Sequence, residues 1–151
     1  MMIIWTTLLL CLSTVALCAV KRVPAGQVYS LHRHGKPTRL LQPGTHMVLP
    51  LLDRVAHRID LGGRVLRFEE PLADERDVRG TVYWQVLEPE RADAVIDQAD
   101  QLIRRGALEA LQGEPGKAAD RRELGSQLKQ RLNGALRERG VMVTRVELDF
   151  A

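Results

Sequence analysis

The side chains best suited to chemistry in this 151-residue chain are four histidines, two cysteines and a cluster of carboxylates. His32 and His34 alternate along an extended run, so both point the same way, and His46 follows across a turn. Three imidazoles so placed are a conceivable zinc donor set. A ligating histidine is normally oriented by a carboxylate behind it, and none is patterned near these three. Exposed or hydrogen-bonded strand histidines are therefore the expected reading, with His57 on a later strand, and no metal and no cofactor is assigned. Cys11 and Cys18 lie close to one helical face within an uncharged segment, where free thiols pack as small apolar groups. The sharper alternative for them is a lipidated or cross-linked helix pair. With no cysteine beyond Cys18, the rest of the chain offers neither a disulfide framework nor a thiolate zinc site. The carboxylates Glu69, Glu70, Asp74, Glu75 and Asp77 read as a solvated connection.

No Gly-x-Ser-x-Gly elbow and no His-Glu-x-x-His helix occurs, and the glycines match neither a phosphate-binding nor a dinucleotide-binding loop. An enzyme is not expected. Basic and acidic residues number 22 and 19, are interspersed, and leave a net charge of +3. Aromatics make up 4% of the chain, so the basic face with interleaved rings that marks a nucleic-acid binder is missing, and nucleic acid is excluded as a partner.

What positions these side chains begins with an anchor. Residues 1–20 carry no charge, and every charged side chain follows from Lys21 onward. Ile3, Ile4, Trp5, Leu8, Leu9, Leu10, Leu12, Val15, Leu17 and Val20 make the segment apolar all round. From Ile3 to Val20 a helix at about 1.5 Å per residue reaches roughly 27 Å, enough for the apolar core of a bilayer. No Lys or Arg precedes it, which favours a retained transmembrane helix over a secretory signal; Ala16-Leu17-Cys18-Ala19 keeps cleavage open as the alternative. Lys21-Arg22 directly behind it place the following domain on the cytoplasmic side by the positive-inside tendency.

Beyond the anchor, turn residues divide the chain into short strands. Gln27 to Arg33, Arg39 to Leu41 and Thr45 to Leu49 read as strands, separated by His34-Gly35-Lys36-Pro37 and by Pro43-Gly44. Met47-Val48-Leu49-Pro50-Leu51-Leu52 carries no charge and no hydrogen-bonding side chain. It is either a buried strand end or a loop that contacts the membrane. Arg54 to Leu61 alternates, with Val55, His57, Ile59 and Leu61 inward. After Gly62-Gly63, Val65 to Phe68 runs back, and Glu69 to Asp77 connects to the clearest strand, Asp77 to Leu87, where Val78, Val82, Trp84 and Val86 share a face.

From Pro89 the period becomes helical, with a bend near Asp100 and a break at Gly113-Glu114-Pro115-Gly116. A further helix opens with Asp120 as cap and Glu123 completing a box, buries Leu124, Leu128, Leu132 and Leu136, and stops at Gly140. A last strand, Val141 to Phe150, directs Met142, Val146, Leu148 and Phe150 inward. The fold class is α+β: an N-terminal transmembrane helix over 1–20 and, over 21–151, an antiparallel sheet completed by the last strand, with about three helices packed on it.

The ordered set Pro24-Ala25-Gly26, Arg33-x-Gly35-Lys36, Leu41-x-Pro43-Gly44-x-His46, Leu49-Pro50 and Asp53-Arg54-Val55 resembles the opening of the SPFH or band 7 domain. That family includes stomatins, prohibitins, flotillins and HflC-like proteins. The strand around Tyr83 and Gly140-Val141-x-Val143-x-x-Val146 extend the resemblance to Phe150. It implies that Gly26, Arg33, Gly35, Lys36, Pro43, Gly44, His46, Pro50 and Asp53 are structural signature positions, and it strengthens the membrane-contact reading of residues 47–52. Most members continue into a long coiled coil after this strand; this sequence reads as a short form without it.

The resemblance further implies a non-catalytic, single-pass cell-membrane protein whose partners are lipid, copies of itself, or another membrane protein such as a longer SPFH protein or a membrane protease. Its work would be scaffolding or restraint of such a complex. Two alternatives stay open: an accessory subunit that acts only with a longer SPFH partner, and an extracytoplasmic binding domain released by signal cleavage. HflC-like members hold the domain outside the inner membrane, against the positive-inside expectation. Intact mass of the membrane-isolated protein checks the anchor: retention predicts 17.0 kDa, and loss of the first 19 or so residues would support the released domain.

Overall fold

A computed structural model describes residues 1–72, 76–112 and 120–151. The chain divides into two compact units, Met1–Asp60 and Leu61–Ala151. It is α+β as expected, with an apolar N-terminal helix, antiparallel sheets and a C-terminal strand.

The first unit opens with α1 (Met2–Ala19), none of whose residues is buried. Five strands follow: β1 (Val20–Val23), β2 (Gln27–Arg33), β3 (Lys36–Leu41), β4 (Gly44–Met47) and β5 (Asp53–Asp60). They form a two-stranded β1-β4 sheet and a β3-β2-β5 sheet, both antiparallel. Val23, Leu31, Leu41 and Val48 make a small core joined by Tyr29 and Val55. Each fully buried aliphatic side chain there contributes about 1.5–3 kcal/mol.

Strand β3 starts three residues earlier than the turn residues indicated. His34 and Gly35 have φ of 54° and 76°, the pair of positive values that a two-residue hairpin turn requires, so Arg33 already faces Lys36. Pro37 is tolerated because β3 is an edge strand.

The second unit contains β6 (Arg64–Pro71), β7 (Asp77–Val86) and β8 (Val141–Phe150) in the order β6-β7-β8, with helices α2 (Pro89–Ala92), α3 (Ala99–Gln112) and α4 (Arg121–Leu136). Val78, Val82, Trp84 and Val86 are buried on one face of β7, as their spacing predicts. The last strand pairs with β7 in this separate sheet rather than completing the early one.

Several details of the sequence reading change. Glu69 and Glu70 belong to β6, not to a connection: Glu69 lies opposite Arg79 and bonds it at 2.9 Å, and Glu70 pairs with Arg104. Asp74, Glu75 and the Gly113-Glu114-Pro115-Gly116 break fall outside the described residues. The helical region after Pro89 is not continuous; α2 ends at Ala92 and a 3₁₀ turn at Ile96–Gln98 precedes α3.

In α4, Asp120 caps the helix through the Arg122 N–H at 2.9 Å. The buried stripe holds Gly125 with Leu128, Leu132 and Leu136, while Leu124 is half-buried. A Cβ on Gly125 would lie 2.9 Å from the Val146 carbonyl, so the helix approaches β8 too closely for any larger residue. Strand β8 buries Val141, Val143 and Leu148, not Met142, because a bulge at Thr144 switches the inward positions from odd to even. Asn133 clamps the strand beside this bulge, accepting from the Val143 N–H at 2.7 Å and donating to its carbonyl at 3.0 Å.

Gly140 takes φ of 72°, and a Cβ there would stand 2.4 Å from the Glu88 carbonyl oxygen. Gly140→Ala is expected to destabilise the fold by at least about 2 kcal/mol and lower Tm by roughly 4–8 °C. Gly134→Ala, with nothing within 4 Å of its added Cβ, should be neutral or slightly stabilising. Thermal unfolding of the detergent-solubilised protein, followed by Trp84 fluorescence in a Trp5→Phe background, compares the two; equal Tm values would contradict the steric account.

Candidate membrane-contact site

Within the first unit the exposed large apolar residues lie in two places, and the fold of that unit brings them together. In α1, Ile3, Ile4, Trp5, Leu8, Leu9, Leu10, Leu12, Val15 and Leu17 are all exposed, and by length and composition this helix is sufficient to cross a membrane. Thr6, Thr7, Ser13 and Thr14 return their hydroxyl hydrogens to carbonyls of the preceding turn, which satisfies them without solvent. The second place is the stretch from Met47 to Leu52.

Strands β1 and β4 join these two places. Val20 lies opposite Met47, and the Val48 N–H donates to the Ala19 carbonyl at 2.7 Å, so the loop leaves the sheet beside the helix end. Val48 alone turns inward, 5% exposed. Met47, Leu49, Leu51 and Leu52 are 74%, 50%, 97% and 46% exposed. Of the two readings of this stretch, the buried strand end describes only Val48.

Polar groups hold the loop in shape. The Leu49 N–H donates to Asp53 Oδ2 at 3.0 Å, while the Asp53 N–H donates back to the Leu49 carbonyl at 2.8 Å, closing a ring around Pro50, Leu51 and Leu52. Leu52 adds a bond to the Leu49 carbonyl at 3.2 Å, and Arg39 donates to the Met47 carbonyl. Pro50 has no N–H to satisfy. A loop entering headgroups needs this internal pairing, because unpaired backbone groups are expensive in an apolar medium.

Asp53 is fixed from its other side by Arg33, whose Nε and Nη2 both lie 2.9 Å from Oδ1, and its side chain is only 4% exposed. The Leu49 N–H, then Arg33, hold its carboxyl below the ordinary carboxylate value, against the opposing effect of desolvation.

The remaining signature residues lie at turns and strand starts. Gly26 has φ of 79° in the turn where the Gln27 N–H meets the Pro24 carbonyl, and Gly44, at 134°, follows Pro43 into β4. Lys36 begins β3 in the open. His46 places Nε2 2.6 Å from the Gln42 carbonyl, across the Pro43-Gly44 turn, and His32 stands edge-on to His57 with centroids 5.6 Å apart. His46 is thus held at its own turn, while His32 and His34 line one cleft beside the apolar loop. Sequence reasoning named Arg33, Pro50 and Asp53 but not their connection, and it passed over Arg39; a loop ending in Asp two residues after Pro-Leu was the available signal.

A depressed carboxyl pKa in the fold means that its stabilisation is present above the unfolded value near 3.8 and is lost as pH falls through the lower folded value. Amide exchange, corrected for its intrinsic pH dependence, should therefore show the Leu49 and Asp53 N–H groups protected at neutral pH and released only as pH falls through the lowered value in the fold. Asp53→Asn should weaken that protection at neutral pH. Unchanged protection in the variant would remove Asp53 as the loop's fastener.

Residues 21–149 match the SPFH domain / Band 7 family. An uncharacterized protein of Schizosaccharomyces pombe is 26% identical over 140 residues, covering 85% of this chain and 40% of that protein. The mitochondrial stomatin-like protein 2 of Homo sapiens is 23% identical over 137 residues, covering 83% of this chain and 38% of its own, and that of Rattus norvegicus is 23% identical over the same length, with 83% and 39% covered. The chain thus spans about two fifths of the length of these relatives. With the family match running from just behind the apolar helix almost to the last strand residue, the chain belongs to the SPFH domain / Band 7 family, whose members are membrane-associated scaffolds and regulators.

Proposed function

We propose that this is a membrane-anchored, single-pass SPFH protein that works by holding neighbours rather than by converting a substrate. Residues 1–20 are its anchor and residues 21–151 its working domain, with the loop from Met47 to Leu52 as a second contact with lipid. The observation that carries the reading is α1: 18 residues, uncharged, and none buried by the rest of the protein. Such a helix in water would expose apolar surface worth about 25 cal/mol per Å², and a bilayer removes it. The exposed leucines beside its C-terminal end support the same placement. Lys21-Arg22 favour the cytoplasmic side for the domain.

Its function is to scaffold a membrane protein complex or to restrain one, a membrane protease included, through association with copies of itself or with another SPFH protein. The ion pairs of the second unit, such as Glu69–Arg79 and Arg121–Asp149, support association over catalysis, since they join strand to strand and helix to strand. Alkaline extraction of native membranes followed by cross-linking and native mass analysis tests the proposal. The chain should stay in the pellet and be recovered in complexes with itself or another membrane protein. Full-length protein in the aqueous fraction would end the anchor reading, and recovery only as an uncomplexed monomer would end the scaffold reading.

A further inference from the structure

A cleft of about 410 Å³ lies at the base of the apolar loop, within the size range of small-ligand sites. Its polar lining is His32, His34 and Arg54, and its apolar lining is Leu51 and Leu52, with Gly35 and Ala56 adding little bulk. Arg54 and His32 are register partners on β5 and β2, and His34 follows from the turn that ends β2. No carboxylate lines the cleft among the described residues. The adjacent Asp53 has its negative charge taken up by Arg33 and the Leu49 N–H. Arg54 forms no ion pair with any described residue, so its charge faces the cleft uncompensated.

A guanidinium and imidazoles beside exposed leucines complement a ligand that is anionic at one end and apolar at the other. We propose that this cleft binds the phosphate of an anionic membrane lipid, with Arg54 and His34 donating to its oxygens while Leu51 and Leu52 lie against the glycerol and upper acyl carbons. A lipid, rather than free phosphate, is the occupant because the cleft shares Leu51 and Leu52 with the exposed loop, and β1-β4 pairing holds that loop beside the end of α1. His32, already edge-on to His57, contributes a wall rather than the principal donor. The inference rests on the membrane-contact reading of residues 47–52 and adds to it a preference among lipids.

The full chain in nanodiscs provides the test, with hydrogen exchange of residues 48–56 as the readout. Discs of phosphatidylcholine are compared with discs containing phosphatidylglycerol. The anionic discs should protect the segment roughly fivefold more, the share one basic residue contributes at an anionic surface. Arg54→Gln, or His34→Asn, which keeps a residue tolerant of positive φ in the turn, should remove that increment while leaving the protection seen in neutral discs. Arg54→Lys should restore part of it.

Equal protection of the wild-type segment in both discs would overturn the phosphate site. So would an increment of the same size from inorganic phosphate added to neutral discs, which would assign the cleft to free anion. Absence of protection in either disc, relative to the chain in detergent, would instead end the loop-contact reading on which the site rests.

Discussion

The first unit depends on one short antiparallel ladder. An apolar helix leaves its last carbonyls without partners, and at a membrane surface an unpaired carbonyl is costly. Here the chain passes from Ala19 directly into β1, and β4 returns alongside so that Val48 bonds the Ala19 carbonyl. Four register pairs, from Val20 with Met47 to Val23 with Gly44, carry this connection. The same ladder that completes the helix end therefore fixes where the Met47–Leu52 loop emerges. It also drives Val48 into the core with Val23, Leu31 and Leu41, so that the loop cannot swing away without opening that core.

An apolar loop exposed to water would normally collapse onto the nearest hydrophobic surface. Charged groups prevent that here. Asp53 closes the loop onto its own backbone and is itself held by Arg33, while Arg39 takes the Met47 carbonyl. The leucines are left outward because the polar groups beneath them are satisfied first. One ion pair and two bonds between side chain and backbone thus hold the loop, and four apolar side chains are left exposed on it.

The second unit is built on close backbone approach. Gly125 lets α4 approach the Val146 carbonyl, Gly140 lets the chain turn beneath Glu88, and Asn133 bonds the Val143 backbone on the open edge of β8, where no further strand pairs among the described residues. The result is a sheet with helices tied to it by ion pairs such as Arg104–Glu70 and Arg121–Asp149. Members of the SPFH domain / Band 7 family, to which the chain belongs, are membrane-associated scaffolds and regulators.

Local patterns in the sequence were sufficient for several elements. The uncharged leader specified α1, the Gln27–Arg33 strand was delimited by its turn residues, alternation assigned the inward face of β7, and Asp120 marked the start of α4. Each of these depends on neighbours a few residues apart, so the sequence carries it directly. The site was legible as residues but not as an arrangement: Arg33, Asp53 and the apolar stretch from Met47 to Leu52 were each identifiable, yet nothing local said that they meet. Tertiary structure alone decided that β3 begins at Lys36, that Glu69 and Glu70 belong to a strand, that a bulge at Thr144 reverses the inward side of β8, and that the leucines of the loop face outward. The reason is physical. Register, bulges and ion pairs are fixed by contacts between segments distant in sequence, and a period of two residues looks the same whichever side the rest of the chain comes to cover.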